Sequence, residues 1–200
     1  MFNLILIGVG SHGLTAEQGG MLAQCGLIVG DSRHLALVQE MSAEKLAISP
    51  LALALKSIRH GLDCGNVGVL ASGDPLFFGI GRRLLKEFGA DQMIILPALS
   101  TMQEACARFK LPWDDMQMIS LHGRKTLHGP GLLLGSEKTF AFTDRHNTPA
   151  NLAQQLIEYL ELIEDEPLLA QCRVHVAENL GTEAERLFSG TLAEDRKSVV

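Results

Sequence analysis

One stretch constrains the fold of this chain more than any other: Val67 to Phe88, VGVLASGDPLFFGIGRRLLKEF. Val67, Val69, Leu70 and Ala71 form a short apolar run, the pattern of a buried strand. Ser72 and Gly73 then allow an abrupt bend and close approach of a ligand to the backbone. Asp74 stands where a helix takes its N-cap, with Pro75 at the first helical position. Phe77, Ile80, Leu84 and Phe88 recur at helical spacing on one face, and Gly89 reads as the stop. A strand, a tight turn and an amphipathic helix in immediate succession predict an α/β fold. In such folds ligands bind at the carboxyl ends of the strands, which puts this turn where chemistry would occur.

The rest of the first half repeats the rhythm. Asn3 to Val9 reads as a strand entering a glycine turn. Thr15 and Gln18 form a capping box that opens a helix ending near Cys25 and Gly26. Leu27 to Gly30 reads as strand, Leu51 to Arg59 as helix and Met93 to Leu96 as strand. Ser100 and Gln103 make a second capping box, for a helix toward Phe109. Alternating strands and helices imply a mostly parallel sheet with helices on its faces. The stretch LPWDD, within Lys110 to Asp115, interrupts the pattern and predicts a division into residues 1–112 and 113–200. Beyond it, Met116 to Leu121 and Thr139 to Thr143 read as strands. Thr148 caps a helix with Pro149 first, whose apolar stripe is Leu152, Leu156, Tyr159, Leu160 and Ile163. Cys172 to Ala177 and Arg186 to Leu192 read as closing strands that can pair.

Composition narrows the function classes. At 200 residues, 46% hydrophobic and 20% charged, the chain can bury a substantial core. A formal net charge of −6 argues against nucleic-acid or anionic-membrane partners, which need a basic footprint. No apolar run approaches a membrane span, and the apolar start lacks the basic region of a signal peptide, so a cytoplasmic protein is expected. Cys25, Cys64, Cys106 and Cys172 are scattered without metal-ligand spacing and read as buried, reduced thiols; no metal is expected.

Gly8-Val9-Gly10-Ser11-His12-Gly13 matches the dinucleotide fingerprint GxGxxG, and Asp31 follows the next strand, where a ribose acid would stand. The local chemistry argues otherwise. A pyrophosphate site needs the helix to open within the motif, whereas Thr15 and Gln18 place its start after Gly13. The glycines instead describe a loop that admits a ligand.

Several segments, in order along most of the chain, resemble the tetrapyrrole methyltransferase family. They are GVGSHGLT, VGDSRHL, ASGDPLFFGIGRRL, LPALSTMQEACARFKLPWDDMQMISLHGR, FTDRHNTPANLAQQL and AENLGTEAERLFSGTLAE. LSTMQ through SLHGR and the GDPLFFGIG variant are similar to the subgroup that methylates carbon 5 of precorrin-7 or cobalt-precorrin-7. The first loop departs from the family in carrying Ser11-His12 where proline and an acidic residue are common. The resemblance implies two α/β/α domains with an interdomain cleft for S-adenosyl-L-methionine, and a homodimer. Larger relatives carry a further domain acting at carbon 15, so this chain is expected to perform the carbon-5 step alone. The alternatives are methylation at another ring position, or a non-catalytic nucleotide-binding module on the same scaffold.

Carried over by matching motif, the cofactor residues are Gly10, Ser11, Ser72, Gly73, Asp74, Ser100, Thr101, Thr143, Asp144, Ala177 and Glu178. Ser100 reads equally as a helix cap and Asp144 as a turn residue. A tetrapyrrole bearing several carboxylates needs local positive charge in an acidic chain. His122, Arg124, Lys125 and His128, with Arg145 and His146, supply it, although such a run is also the mark of a solvated loop. His122 or Asp144 can serve as a base; the sequence singles out neither.

Overall fold

The computed structural model describes residues 2–122 and 129–192 of the chain. The chain divides into two compact units, Met1–Thr101 and Met102–Val200. The division precedes the LPWDD stretch because the helix before it is tied into the second unit. Within that helix, Arg108 forms a two-pronged ion pair with Glu185, through Nε at 3.2 Å and Nη2 at 3.1 Å. Phe109 packs on the His175 ring at 4.9 Å between centroids.

The first unit is a three-layer α/β/α structure. Its strands are β1 (Leu4–Val9), β2 (Cys25–Gly30), β3 (Glu44–Ala47), β4 (Asn66–Ser72) and β5 (Met93–Leu96). They form one parallel sheet in the order β3-β2-β4-β1-β5. The helices are α1 (Ala16–Leu22), α2 (Ser32–Ala36), α3 (Leu51–Cys64) and α4 (Gly81–Phe88). Successive strand residues point to opposite faces, so every residue of β1 can be buried. Leu4 and Leu6 join Val67, Val69, Ile58 and Leu84 on the face covered by α3 and α4. Ile5, Ile7 and Val9 join Leu22, Ile28 and Val38 on the face covered by α1 and α2.

Some boundaries differ from the sequence expectation. Helix α1 stops at Leu22, because Cys25 already pairs with Asn66 in the sheet. Helix α3 continues past Arg59 to Cys64, whose thiol is exposed rather than buried. The largest correction concerns Asp74. It does not cap the helix of its motif, which begins only at Gly81. Its Oδ1 accepts from the Leu76 N–H at 2.8 Å, closing a tight local turn instead. Phe78 adopts φ 53°, a left-handed conformation that no helix continues through. Ile80, Leu84 and Phe88 still pack on the core, while Phe77 meets Phe78 edge-on at 4.9 Å.

In the second unit, α5 (Thr101–Phe109) precedes β6 (Gln117–Ser120), α6 (Gly129–Leu133) and β7 (Thr139–Phe142). Then follow α7 (Pro149–Leu162), α8 (Glu166–Gln171), β8 (Arg173–Glu178) and β9 (Arg186–Thr191). Among the described residues the strands form two pairs, β6–β7 parallel and β8–β9 antiparallel. Thr148 caps α7 as expected, its side chain accepting from the Asn151 N–H. The buried face of α7 is Leu152, Ala153, Leu156, Ile157 and Leu160. Tyr159 and Ile163, expected in that stripe, are instead exposed. No helix among the described residues is long and apolar enough to cross a membrane.

Candidate functional site

The connections leaving β1 and β4 run to opposite faces of the sheet: α1 lies over one and α4 over the other. Adjacent strand ends whose connections part in this way leave a crevice at their carboxyl edge. The candidate cofactor residues of the first unit converge there. Gly10 and Ser11 follow β1, Ser72 to Asp74 end β4 and leave it, and Ser100 and Thr101 come after β5, in three neighbouring strands.

Glycine chemistry builds this edge. Gly73 turns with φ 60° and lies under the chain after β5. Its N–H donates to the Val9 carbonyl at 2.8 Å, and its own carbonyl accepts from the Ala98 N–H at 3.2 Å. The turn therefore rests directly on Gly8, where a Cβ would lie 1.9 Å from the Gly73 oxygen. The buried Gln18 amide anchors the same place, donating to the Gly8 carbonyl at 2.9 Å. Gly10 and Gly13 close the first loop through one backbone hydrogen bond of 3.1 Å. Beside Gly13 a Cβ would meet nothing within 4 Å, and beside Gly10 only the Ala98 methyl, at 3.5 Å. Helix α1 starts after this loop with the full Thr15–Gln18 capping box, so no helix N-terminus opens inside the glycine motif. Asp31 caps α2 through the His34 N–H at 2.8 Å, a structural use of the carboxylate that a ribose would otherwise claim.

Two residues that sequence reasoning left unassigned join this edge. The Arg33 guanidinium donates from Nη2 to Ser72 Oγ at 2.9 Å. The His34 ring is 4% exposed, and its Nε2 lies 3.4 Å from both Arg33 Nη2 and Ser72 Oγ. Arg33 can only donate, which leaves Nε2 as the acceptor of that contact; the buried Nδ1 lies 3.3 Å from Asp31 Oδ1 without a hydrogen bond. Burial pushes the ring below its ordinary pKa, outweighing the opposing pull of Asp31, and Arg33 lowers it further. The signal for this pair was the VGDSRHL segment, whose Arg-His follows the end of β2.

In the second unit, His122 comes shortly after β6, and Thr143, Asp144 and Arg145 follow β7, at the same end of the strand pair. Asp144 Oδ1 accepts from the N–H groups of His146 at 2.8 Å and Asn147 at 2.7 Å, making the turn. The buried Asn147 amide fixes that turn to the Leu121 carbonyl at 2.8 Å. Arg145 is exposed and donates from Nε to its neighbour His146 at 3.3 Å. Ala177 and Glu178 end β8 on the separate antiparallel pair, opposite Leu187 and Arg186. Arg124, Lys125 and His128 lie outside the described residues.

A glycine-lined crevice at parallel strand ends fits several cofactors, and comparison with known proteins decides among them. The profile of the tetrapyrrole (corrin/porphyrin) methylases matches residues 3–194. The chain belongs to this family. It is 32% identical over 183 residues to the cobalt-precorrin-7 C(5)-methyltransferase of Salmonella typhimurium, covering 89% of this chain and 84% of that one. The fold is that of the precorrin-6Y methylase of Archaeoglobus fulgidus, with a TM-score of 0.69 and 23% identity over 96% of this chain and 90% of that one. It is also that of the uroporphyrin-III C-methyltransferase of Thermus thermophilus, solved with S-adenosylhomocysteine, at a TM-score of 0.68 and 18% identity over 99% and 87% of the two chains.

Proposed function

We propose that this methylase transfers the methyl group of S-adenosylmethionine to carbon 5 of precorrin-7 or its cobalt form, in corrin synthesis. One observation supports the reading: the small-residue segments named as cofactor candidates lie at the carboxyl edge of β4-β1-β5, in a chain 32% identical to a carbon-5 methyltransferase. The residues present suit the cofactor. Gly10 and Gly13 leave open space beside the backbone, and Gly73 offers a left-handed turn without a side chain. Bound there, S-adenosylmethionine would bring a methyl already activated by its sulfonium.

The protein's part is then to hold, orient and shield. Gly10, Ser11, Ser72, Gly73, Asp74, Ser100 and Thr101 contribute backbone and small polar side chains from the first unit. Thr143, Asp144, Ala177 and Glu178 are the candidates that the family resemblance adds from the second. Holding the two reactants in line replaces the entropy loss of a chance encounter, which is the main source of rate in such a transfer. We assign to His122 or Asp144 the proton that the methylated carbon must release. Arg124, Lys125 and Arg145 carry the positive charge that substrate carboxylates require, and His122 is a further hydrogen-bonding residue for the substrate. The same reading makes the enzyme a cytoplasmic homodimer, and light scattering of the purified protein measures its mass.

The test is incubation with S-adenosylmethionine and either metal-free or cobalt-containing precorrin-7. The expected product carries one added methyl, located at carbon 5 by NMR. Methylation at another ring carbon, or none with either substrate, would overturn the reading. Gly73→Leu should lower S-adenosylhomocysteine affinity more than about tenfold by calorimetry, since its Cβ would press within 3.1 Å of the Leu99 oxygen and Ser100 Cα at a left-handed φ and so displace the turn. Unchanged affinity in the folded variant would remove the turn from the cofactor site.

A further inference from the structure

Arg33 is held in place without a carboxylate. Some basic side chains of this acidic chain meet one, Arg59 and Arg83 at Glu87, Arg108 at Glu185 and Lys138 at Asp115, whereas others, such as exposed Arg145, do not. Among the described residues, no carboxylate lies within ion-pair distance of Arg33. Asp31, two residues away, directs Oδ1 to the His34 backbone and ring instead. Yet the guanidinium is not loose. Ser72 Oγ holds Nη2 at 2.9 Å, and the buried His34 ring backs the same nitrogen. Among the described residues Nε and Nη1 have no protein acceptor. A guanidinium fixed at one corner, with its other donors unused, is prepared for a planar two-oxygen anion.

Topology puts this guanidinium at the margin of the crevice. The candidate cofactor motifs stand at the ends of β4, β1 and β5, whereas Arg33 enters from β2, on the other flank of β4, and meets them at Ser72. The loop after Gly73 turns Leu76 and Phe78 outward, 49% and 45% exposed, so apolar surface and one cation leave the same strand end. That combination suits a flat apolar macrocycle with charged arms.

Resting on the reading above, we propose that Arg33, positioned by Ser72 and His34, binds a side-chain carboxylate of the tetrapyrrole substrate. The carboxylate of the cofactor's methionine portion is the rival source of the same chemistry. The experiment compares wild type, Arg33→Ala and Arg33→Gln, the last retaining a donor for Ser72. Each is titrated with S-adenosylhomocysteine and, separately, with precorrin-7. Retained S-adenosylhomocysteine binding shows that a variant is folded. Both variants should bind precorrin-7 about ten- to a hundredfold more weakly, the usual loss of a charge-assisted hydrogen bond. Substrate amidated at one carboxylate should bind wild type more weakly than the acid does, yet bind Arg33→Ala equally well at the carboxylate concerned.

Unchanged precorrin-7 affinity in a folded variant overturns the assignment. So does a loss confined to S-adenosylhomocysteine, which would give the guanidinium to the cofactor. A wild-type protein that binds S-adenosylhomocysteine but neither precorrin-7 nor its cobalt form overturns the proposed function and this role together.

Discussion

At Gly8 the room for a side chain is already taken. A methyl there would sit 1.9 Å from the Gly73 oxygen and 2.6 Å from the Ala98 nitrogen, both backbone atoms that cannot swing aside. Gly8→Ala should therefore cost about 3 kcal/mol or more, lowering the melting temperature by roughly 6–12 °C. Gly10→Ala, two residues on, should stay within about 1 kcal/mol of wild type, because its methyl would only touch that of Ala98. Calorimetric melting of the two variants side by side checks the contrast. His34 yields a pH prediction. Its ring pKa is held below the ordinary 6.5, chiefly by burial. The unfolded chain thus takes up a proton that the folded one refuses. The ring's contribution to stability is complete above about pH 6.5, falls as the pH drops from there, and levels off below the ring's own lowered value. NMR titration should show the His34 C–H resonances moving at a pH below 6.5, and His34→Gln should shrink this limb of a stability–pH profile, leaving the share of His175, whose ring pKa is also lowered by burial and by Arg173.

Whole elements show where local sequence chemistry was sufficient. Thr15 with Gln18, and Thr148 with Pro149, announce helix starts through interactions spanning only three residues, and both caps form. Thr15→Ala and Thr148→Ala should each cost about 1 kcal/mol, read as a shift of the denaturant midpoint at unchanged slope. Asp74 shows why the same reasoning failed at the next candidate. An aspartate before proline can cap a helix or fold back on the second residue after it, and composition does not distinguish these. Packing decides: Gly79 and Gly81 both press against the Pro75 carbonyl, their virtual Cβ atoms at 2.5 and 2.7 Å, and this compact turn delays α4 until Gly81. The apolar spacing of Ile80, Leu84 and Phe88 was legible because it depends on the helix alone. The role of Arg33 was not, because its meeting with Ser72 joins residues 39 positions apart.

For the molecule as a whole, strand burial sets an order of resistance to opening. Every residue of β1 is buried, as are Val67 to Leu70 of β4, whereas no residue of β6 or β7 is fully buried. Amide hydrogen exchange should therefore be slowest in β1 and β4, and much faster in β6 and β7, when followed by peptide-resolved mass spectrometry. The parallel α/β character and the paired closing strands were readable from periodicity, since both arise from near neighbours in sequence. The division after Thr101 was not, because the Arg108–Glu185 ion pair that binds α5 into the second unit spans 77 positions. The knot at Gly73 has a consequence for how such a chain can diverge. Its N–H and carbonyl tie the ends of three strands at a single residue. Inserting or deleting one residue between Val9 and Gly10, at Ser72 to Asp74, or between Leu96 and Ala98 would break that register at once. Descendants of this protein can change the identity of neighbouring side chains and the length of the stretch beyond Pro75. The spacing of the knot itself they must inherit intact.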